Sequence, residues 1–147
     1  MDTTSSSLPP HSVPKMEARF YYAGLPSCPV LVYRTSTTPW KQPTGHDELK
    51  ELRPVYDHKI RDVWDALGPK VFECLDSKQV KWTSVDIVRF KFAKDGEPPG
   101  PVVIWIGVMP QSLSGEDAHT AAIGCVQLLK LFQLTDVEVE FRESIRW

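Results

Sequence analysis

The chain has no basic excess: 17 Lys and Arg stand against 19 Asp and Glu, for a net charge of -2 over 147 residues. The long-range field that gathers nucleic acid or an anionic membrane is therefore missing. No apolar run approaches the roughly 20 residues that span a bilayer, and the N-terminus lacks the charged-then-apolar pattern of a secretory signal. Cysteine is scarce. Cys28, Cys74 and Cys125 are odd in number and widely spaced, with no Cys-x-x-Cys pair, so neither a disulfide framework nor a zinc knuckle is signalled and buried free thiols are expected. Gly-x-Gly-x-x-Gly and Gly-x-x-x-x-Gly-Lys are also absent, which leaves no phosphate-cradling loop. These absences predict a soluble, cytoplasmic protein with no membrane or nucleic-acid partner and no cofactor.

Residues 1–18 are rich in Ser, Thr and Pro and nearly empty of large apolar side chains. Such a segment cannot bury enough surface to offset its ordering entropy, so it reads as a disordered tail ahead of a single domain over 19–147. Hydrophobic density begins at Phe20-Tyr21-Tyr22 and continues through Leu25 to Val30-Leu31-Val32-Tyr33-Arg34. The last group is a short strand, and Pro26 and Pro29 place it at a sheet edge or start it after Pro29. A loop follows from Thr35 to Gly45, pinned by Trp40. A helix is expected from about Asp47, kinked near Pro54 and resumed to Leu67, because Tyr56, Ile60, Val63, Trp64 and Leu67 form one apolar stripe. Gly68-Pro69 reads as its stop, with Lys70 to about Asp76 as a second, shorter helix.

The second half carries the clearest signal. Val80 to Phe92 has β-character with slipped alternation, which a bulge near Asp86 or partial cover on both faces explains. Ala93 to Gly100 is turn chemistry, making the flanking strands an antiparallel hairpin. Val102 to Val108 is apolar on both parities, so it must be covered on both faces and is the central strand. Ser114 and Asp117 cap a helix whose stripe is Ala118, Ala121, Ala122, Cys125, Leu128, Leu129 and Phe132. Val137 to Arg142 then alternates as a strand with one wet face. Strand, helix and strand close as a parallel crossover. The fold expected is α+β: a small mixed sheet, antiparallel hairpin plus parallel βαβ unit, with packed helices.

The phrases Tyr21-Tyr22-Ala23-Gly24-Leu25-Pro26, Val80 to Asp86, Ile104 to Val108 and Val137 to Ser144 resemble the N-terminal region of a family of long, uncharacterised proteins of basidiomycete fungi, over about Phe20 to Ser144. In that family the chain continues into a stretch reminiscent of trypsin-like proteases. The resemblance implies a front domain without that stretch, and it supplies no site residues.

Candidate chemistry is sparse. Ser112, Ser114 and Gly115 lie between the central strand and a helix N-terminus, where free N–H groups can hold an anion, although Glu116 and Asp117 already oppose the dipole there. Asp86 could begin a nuclease metal site, but the next strand has no acid or lysine to complete it. His46, His58 and His119 have no nucleophile placed beside them by spacing, and His58 reads as solvated. Glu138 and Glu140 share a strand face that Arg142 continues with opposite charge, which suits a solvated surface or an interface better than a metal cluster. Glu138, Glu140, Arg142 and Trp147 are the candidate interface, for a protein partner or self-association. The function expected is a non-catalytic interaction or regulatory domain. The alternative is an accessory or remnant hydrolase segment, protease-associated, whose catalytic residues lie outside the chain.

Overall fold

The computed structural model describes residues 12–144. Its backbone runs α1 (Lys15–Phe20), β1 (Val30–Arg34), a short 3-10 turn (His46–Glu48), β2 (Lys50–Arg53), α2 (Ile60–Ser77), β3 (Trp82–Phe92), β4 (Val102–Val108), α3 (Gly115–Leu131) and β5 (Val137–Glu143). The strands form one five-stranded sheet in the order β1-β5-β4-β3-β2. β4 pairs parallel with β5 and antiparallel with β3, while β1–β5 and β2–β3 are antiparallel. This is the mixed α+β sheet that the hydrophobic patterning implies, with β4 at its centre.

All seven residues of β4 are buried, and the alternation of side chains explains why two layers are needed. Ile104, Ile106 and Val108 face α2 and α3, joining Leu67, Val71, Leu75, Ala118, Ala121, Ala122, Cys125 and Leu129 in the larger core. Val103 and Trp105 face the other way, into a smaller core with Tyr22, Leu25, Leu31 and Val88. Tyr22 stands edge-on to Trp105 with ring centroids 5.5 Å apart, and Phe90 edge-on to Trp105 at 5.2 Å. The segment from α1 to Leu25 thus roofs the outer face of the sheet.

Several expectations need correction. α1 begins at Lys15, inside the segment read as a tail. Lys50 to Arg53 is an edge strand rather than part of a helix, and Arg53 is extended as a residue before proline should be. α2 starts only at Ile60 and runs unbroken through Gly68-Pro69. Pro69 forfeits the hydrogen bond to Asp65, yet both residues lie on the exposed side, and a break would pull Leu67, Val71 and Leu75 from the core. Gly68 also lies close under Trp64, where a Cβ would meet the ring at 3.0 Å and oblige it to shift. The bulge in β3 falls at Thr83 rather than near Asp86, between Trp82↔Val108 and Ser84↔Gly107. The rest of the slipped alternation reflects cover on both faces: Val85 and Ile87 pack on the helical side, Val88 and Phe90 on the outer side.

Candidate functional site

The largest correction concerns the face of β5 read as wet. β1 pairs with β5 on its far side, and the roof crosses it, so Glu140 and Arg142 are buried at 3% and 6% exposure. Glu138 is half-buried and bonded by the Thr35 hydroxyl. Glu140 and Arg142 are therefore interior side chains rather than an open face, and Trp147 lies outside the described residues. The Arg142 guanidinium lies 3.4 Å from the Trp105 ring centroid, bonds Ser84 Oγ at 3.1 Å, and reaches Asp86 at 3.8 Å. Gly107 makes room for it: a Cβ there would meet Ser84 Oγ at 2.7 Å.

Burial turns Glu140 from a surface charge into the centre of a polar cluster. Tyr22 donates to its Oε1 at 2.7 Å and Tyr21 to its Oε2 at 3.3 Å. Desolvation raises the Glu140 carboxyl above the ordinary range, against the pull of Lys50 and the two phenols. Desolvation, then the Glu140 charge, raises both tyrosines. Lys50, the first residue of β2, sets its ammonium 3.2 Å from the Tyr21 ring centroid. Its own burial brings it down to about 8, opposed by Glu140. Arg34 completes the group from β1, bonded through Nε to Glu17 of α1 at 3.0 Å. Two cations and two carboxylates are thus drawn from four elements, α1, β1, β2 and β5, onto one face of the sheet.

Local backbone chemistry fixes this arrangement. The Lys50 N–H donates to the Ala23 carbonyl at 2.7 Å, so the roof strap crosses the start of β2. Gly24 adopts a φ of 110°, and a Cβ would lie 2.6 Å from the Lys50 carbonyl oxygen. Only glycine allows both the left-handed conformation and the close approach.

Beside the cluster lies a cleft of about 520 Å³. Tyr21, Pro39, Trp40, Pro43 and Phe92 supply apolar walls, with Arg34 and Lys50 deep and Lys41 and Lys94 at the rim. Asp47, Glu48 and Glu97 add carboxylates to the same lining. A smaller hollow of about 210 Å³ shares Tyr21, Lys50 and Phe92 but includes Glu138 and Glu140.

The other candidates have structural tasks. Ser114 Oγ accepts from the Asp117 N–H at 3.0 Å as an ordinary N-cap, and Ser112 Oγ donates to the Met109 carbonyl at 2.6 Å. The Gln111 N–H beside them already donates to a Glu143 carboxylate oxygen at 2.9 Å. Gly115 opens α3. His58 is not solvated: its side chain is 10% exposed. Nδ1 accepts the Ile60 N–H at 3.0 Å, so Nε2 carries the hydrogen and donates to Asp136, tying the start of α2 to the approach of β5. That hydrogen bond lowers the Asp136 carboxyl. With both ring nitrogens engaged, His58 is no general base. His119 Nδ1 lies 2.9 Å from the Tyr33 hydroxyl in the interior, and His46 is exposed in the short 3-10 turn. Among the described residues no group of three His, Cys, Asp or Glu could hold a metal ion, and no helix is long and apolar enough to cross a membrane.

Cysteine burial is graded rather than uniform: Cys28 is exposed, Cys74 half-buried and Cys125 buried. The hydrogen bond between the thiols of Cys74 and Cys125, across α2 and α3, brings Cys74 down to about 7 and pushes Cys125 up. Thiolate is the reactive form. Iodoacetamide at pH 7.5 should therefore label Cys28 and Cys74 in the native protein and spare Cys125 until denaturant is added, as read by peptide mass spectrometry. Labelling of Cys125 at the same rate as Cys74 would contradict the assignment.

The sequence matches no protein-family model, no curated protein and no solved structure. Lys50, Tyr21, Tyr22, Arg34 and Glu17 were not legible as a site. One signal was available: an outer face bearing Val103 and Trp105 needs cover, and cover over β4 extends to its neighbour β5.

Proposed function

We propose that this chain is a non-catalytic recognition domain whose binding surface is the cleft between the 38–48 segment and the outer face of the sheet. The observation that carries this reading is the composition of the cleft. It is concave, about 520 Å³, walled mainly by Tyr21, Trp40 and Phe92, and holds few polar groups at its floor. Ligand sites have this volume and this balance of apolar wall to convergent polar group. The polar cluster beneath it supports the reading further, because Glu140 is only 3% exposed and its phenol partners hold both oxygens, which leaves it poorly placed to act on a substrate. A partner held here would regulate or recruit rather than be transformed.

Aromatic compounds and aromatic-ended peptides titrated into the labelled protein should move the amide resonances of residues 38–48 and 92–97. Trp40→Ala should abolish those shifts while leaving the rest of the spectrum folded. If no aromatic ligand moves these resonances, or if the shifts cluster on the exposed side of α2 or α3, the cleft is not the recognition surface.

A further inference from the structure

Resting on that reading, the geometry points to a ligand class: the cleft takes an aromatic monocarboxylate, its ring against Trp40 and Phe92 and its carboxylate on the Lys50 ammonium. Three observations select it. First, the Lys50 Nζ touches the Tyr21 ring face at 3.2 Å, and among the described residues it makes no hydrogen bond. An ammonium has three donors, and one that is largely desolvated gains most from an anion that fills them.

Second, the neighbouring cation is already paired. Arg34 gives Nε to Glu17 and Nη1 to Ser36, so its charge already has a carboxylate at 3.0 Å, and Lys50 is the floor cation without an ion pair among the described residues. Asp47, Glu48 and Glu97 in the same lining oppose a polyanion such as a phosphate ester. Lys41 and Lys94 lie on the exposed rim, where an ion pair contributes little. A single negative charge is what the site can balance.

Third, the direction of approach is set. The smaller hollow that also borders Lys50 carries Glu138 and Glu140, which repel an anion. The carboxylate must therefore enter from the larger cleft, where Trp40 and Phe92 stand. Aromatic rings in that lining favour a flat, apolar body behind the charge.

Two sources share this chemistry: a free aromatic acid, and the C-terminal carboxylate of a chain ending in Trp or Phe. Calorimetric titration of the full chain with 1-naphthoate and with its uncharged analogue 1-naphthamide separates charge from ring. Naphthoate should bind at least about tenfold more tightly than the amide, the factor expected for a charge-assisted hydrogen bond. Lys50→Met should remove that preference and leave the amide's affinity unchanged, whereas Trp40→Ala should weaken both. A second arm uses peptides ending in Gly-Phe as the free acid and as the amide. Peptide acid binding more tightly than naphthoate assigns the site to a partner's C-terminus, and the reverse assigns it to a free acid. Equal affinity of naphthoate and naphthamide, or an equal loss of both in Lys50→Met, would overturn the carboxylate assignment while leaving the cleft a binding surface. Failure of both compounds to bind, with the 38–48 resonances unmoved by any aromatic ligand, would overturn the recognition reading with it.

Discussion

Phe141→Ala is expected to destabilise the fold by about 3–5 kcal/mol, read as a lower urea midpoint at unchanged slope. Phe141 is fully buried in β5, paired with Ile106 of β4 on one side and Tyr33 of β1 on the other. It lies in the larger core with Ala118, Ala121 and Ala122 of α3, where the small helical residues let the helix approach the sheet. Collapse into the vacated space would require α3 to move, and α3 is held by the Ser114 cap and by the parallel crossover between β4 and β5. The site therefore relaxes little, which places the cost toward the upper half of the range for aromatic truncation. Leu131, 77% exposed at the end of α3, is the matched control, and Leu131→Ala should stay within about 0.5 kcal/mol. A loss below about 1 kcal/mol for Phe141→Ala would mean that the ring is not packed between sheet and helix.

The same β5 shows how far pattern reading reaches. Val137, Val139 and Phe141 alternate, which gives the strand and its inward face, and the strand-helix-strand order gives its parallel pairing. The other parity, Glu138, Glu140 and Arg142, was read from charge alone as solvated. Alternation reports which residues share a face, and charge reports only what that face prefers when uncovered. The cover comes from Tyr21, Tyr22 and Leu25, more than a hundred residues earlier in the chain, and no local signal announces a contact of that range. The doubly apolar β4 did demand such cover, so the buried outer face was derivable in principle.

β2 was missed for a different reason. Lys50-Glu51-Leu52-Arg53 has no apolar alternation and leaves Leu52 44% exposed. Its strand geometry comes from pairing with Arg89 to Phe92 and from Pro54, which holds Arg53 extended. Gly68-Pro69 is a local stop signal and predicts two helices where α2 is one. A continuous buried stripe of Leu67, Val71 and Leu75 outweighs a proline penalty of about 3 kcal/mol. By contrast α3, whose cap, stripe and length all agree, was legible throughout.

Glu140→Leu is the other substitution with a large expected effect, about 3–5 kcal/mol at pH 7, because it strands polar groups in the roof rather than opening a void. The Tyr22 hydroxyl would lose its only bonded acceptor among the described residues and the Tyr21 hydroxyl its own. Lys50 would lose the carboxylate that most favours its charge. The double variant Glu140→Leu/Lys50→Met should recover part of the loss, since an apolar pair replaces an unpaired buried charge, and the coupling is measurable by a double-mutant cycle. The pH dependence supplies an independent readout. Lys50 titrates near 8 in the fold against about 10.4 in an unfolded chain. Between those values the unfolded state holds a proton that the folded state has released, so stability rises with pH across that window. From pH 7.5 to 9.5 the Lys50 contribution should rise by about 2 kcal/mol, and Lys50→Met should lack the rise. Above about pH 10 the buried phenols of Tyr21 and Tyr22 act in the opposite sense, because their raised values keep protons that the unfolded chain sheds. Glu140 acts on the acid side: its raised carboxyl holds a proton above about 4.3, the unfolded value, so its contribution falls as pH climbs through that region. Wild type and Lys50→Met compared by urea unfolding at both pH values isolate the amine from the other titrating groups. Parallel curves would show that Lys50 is solvated, and the buried cluster beneath the cleft would then have to be redrawn.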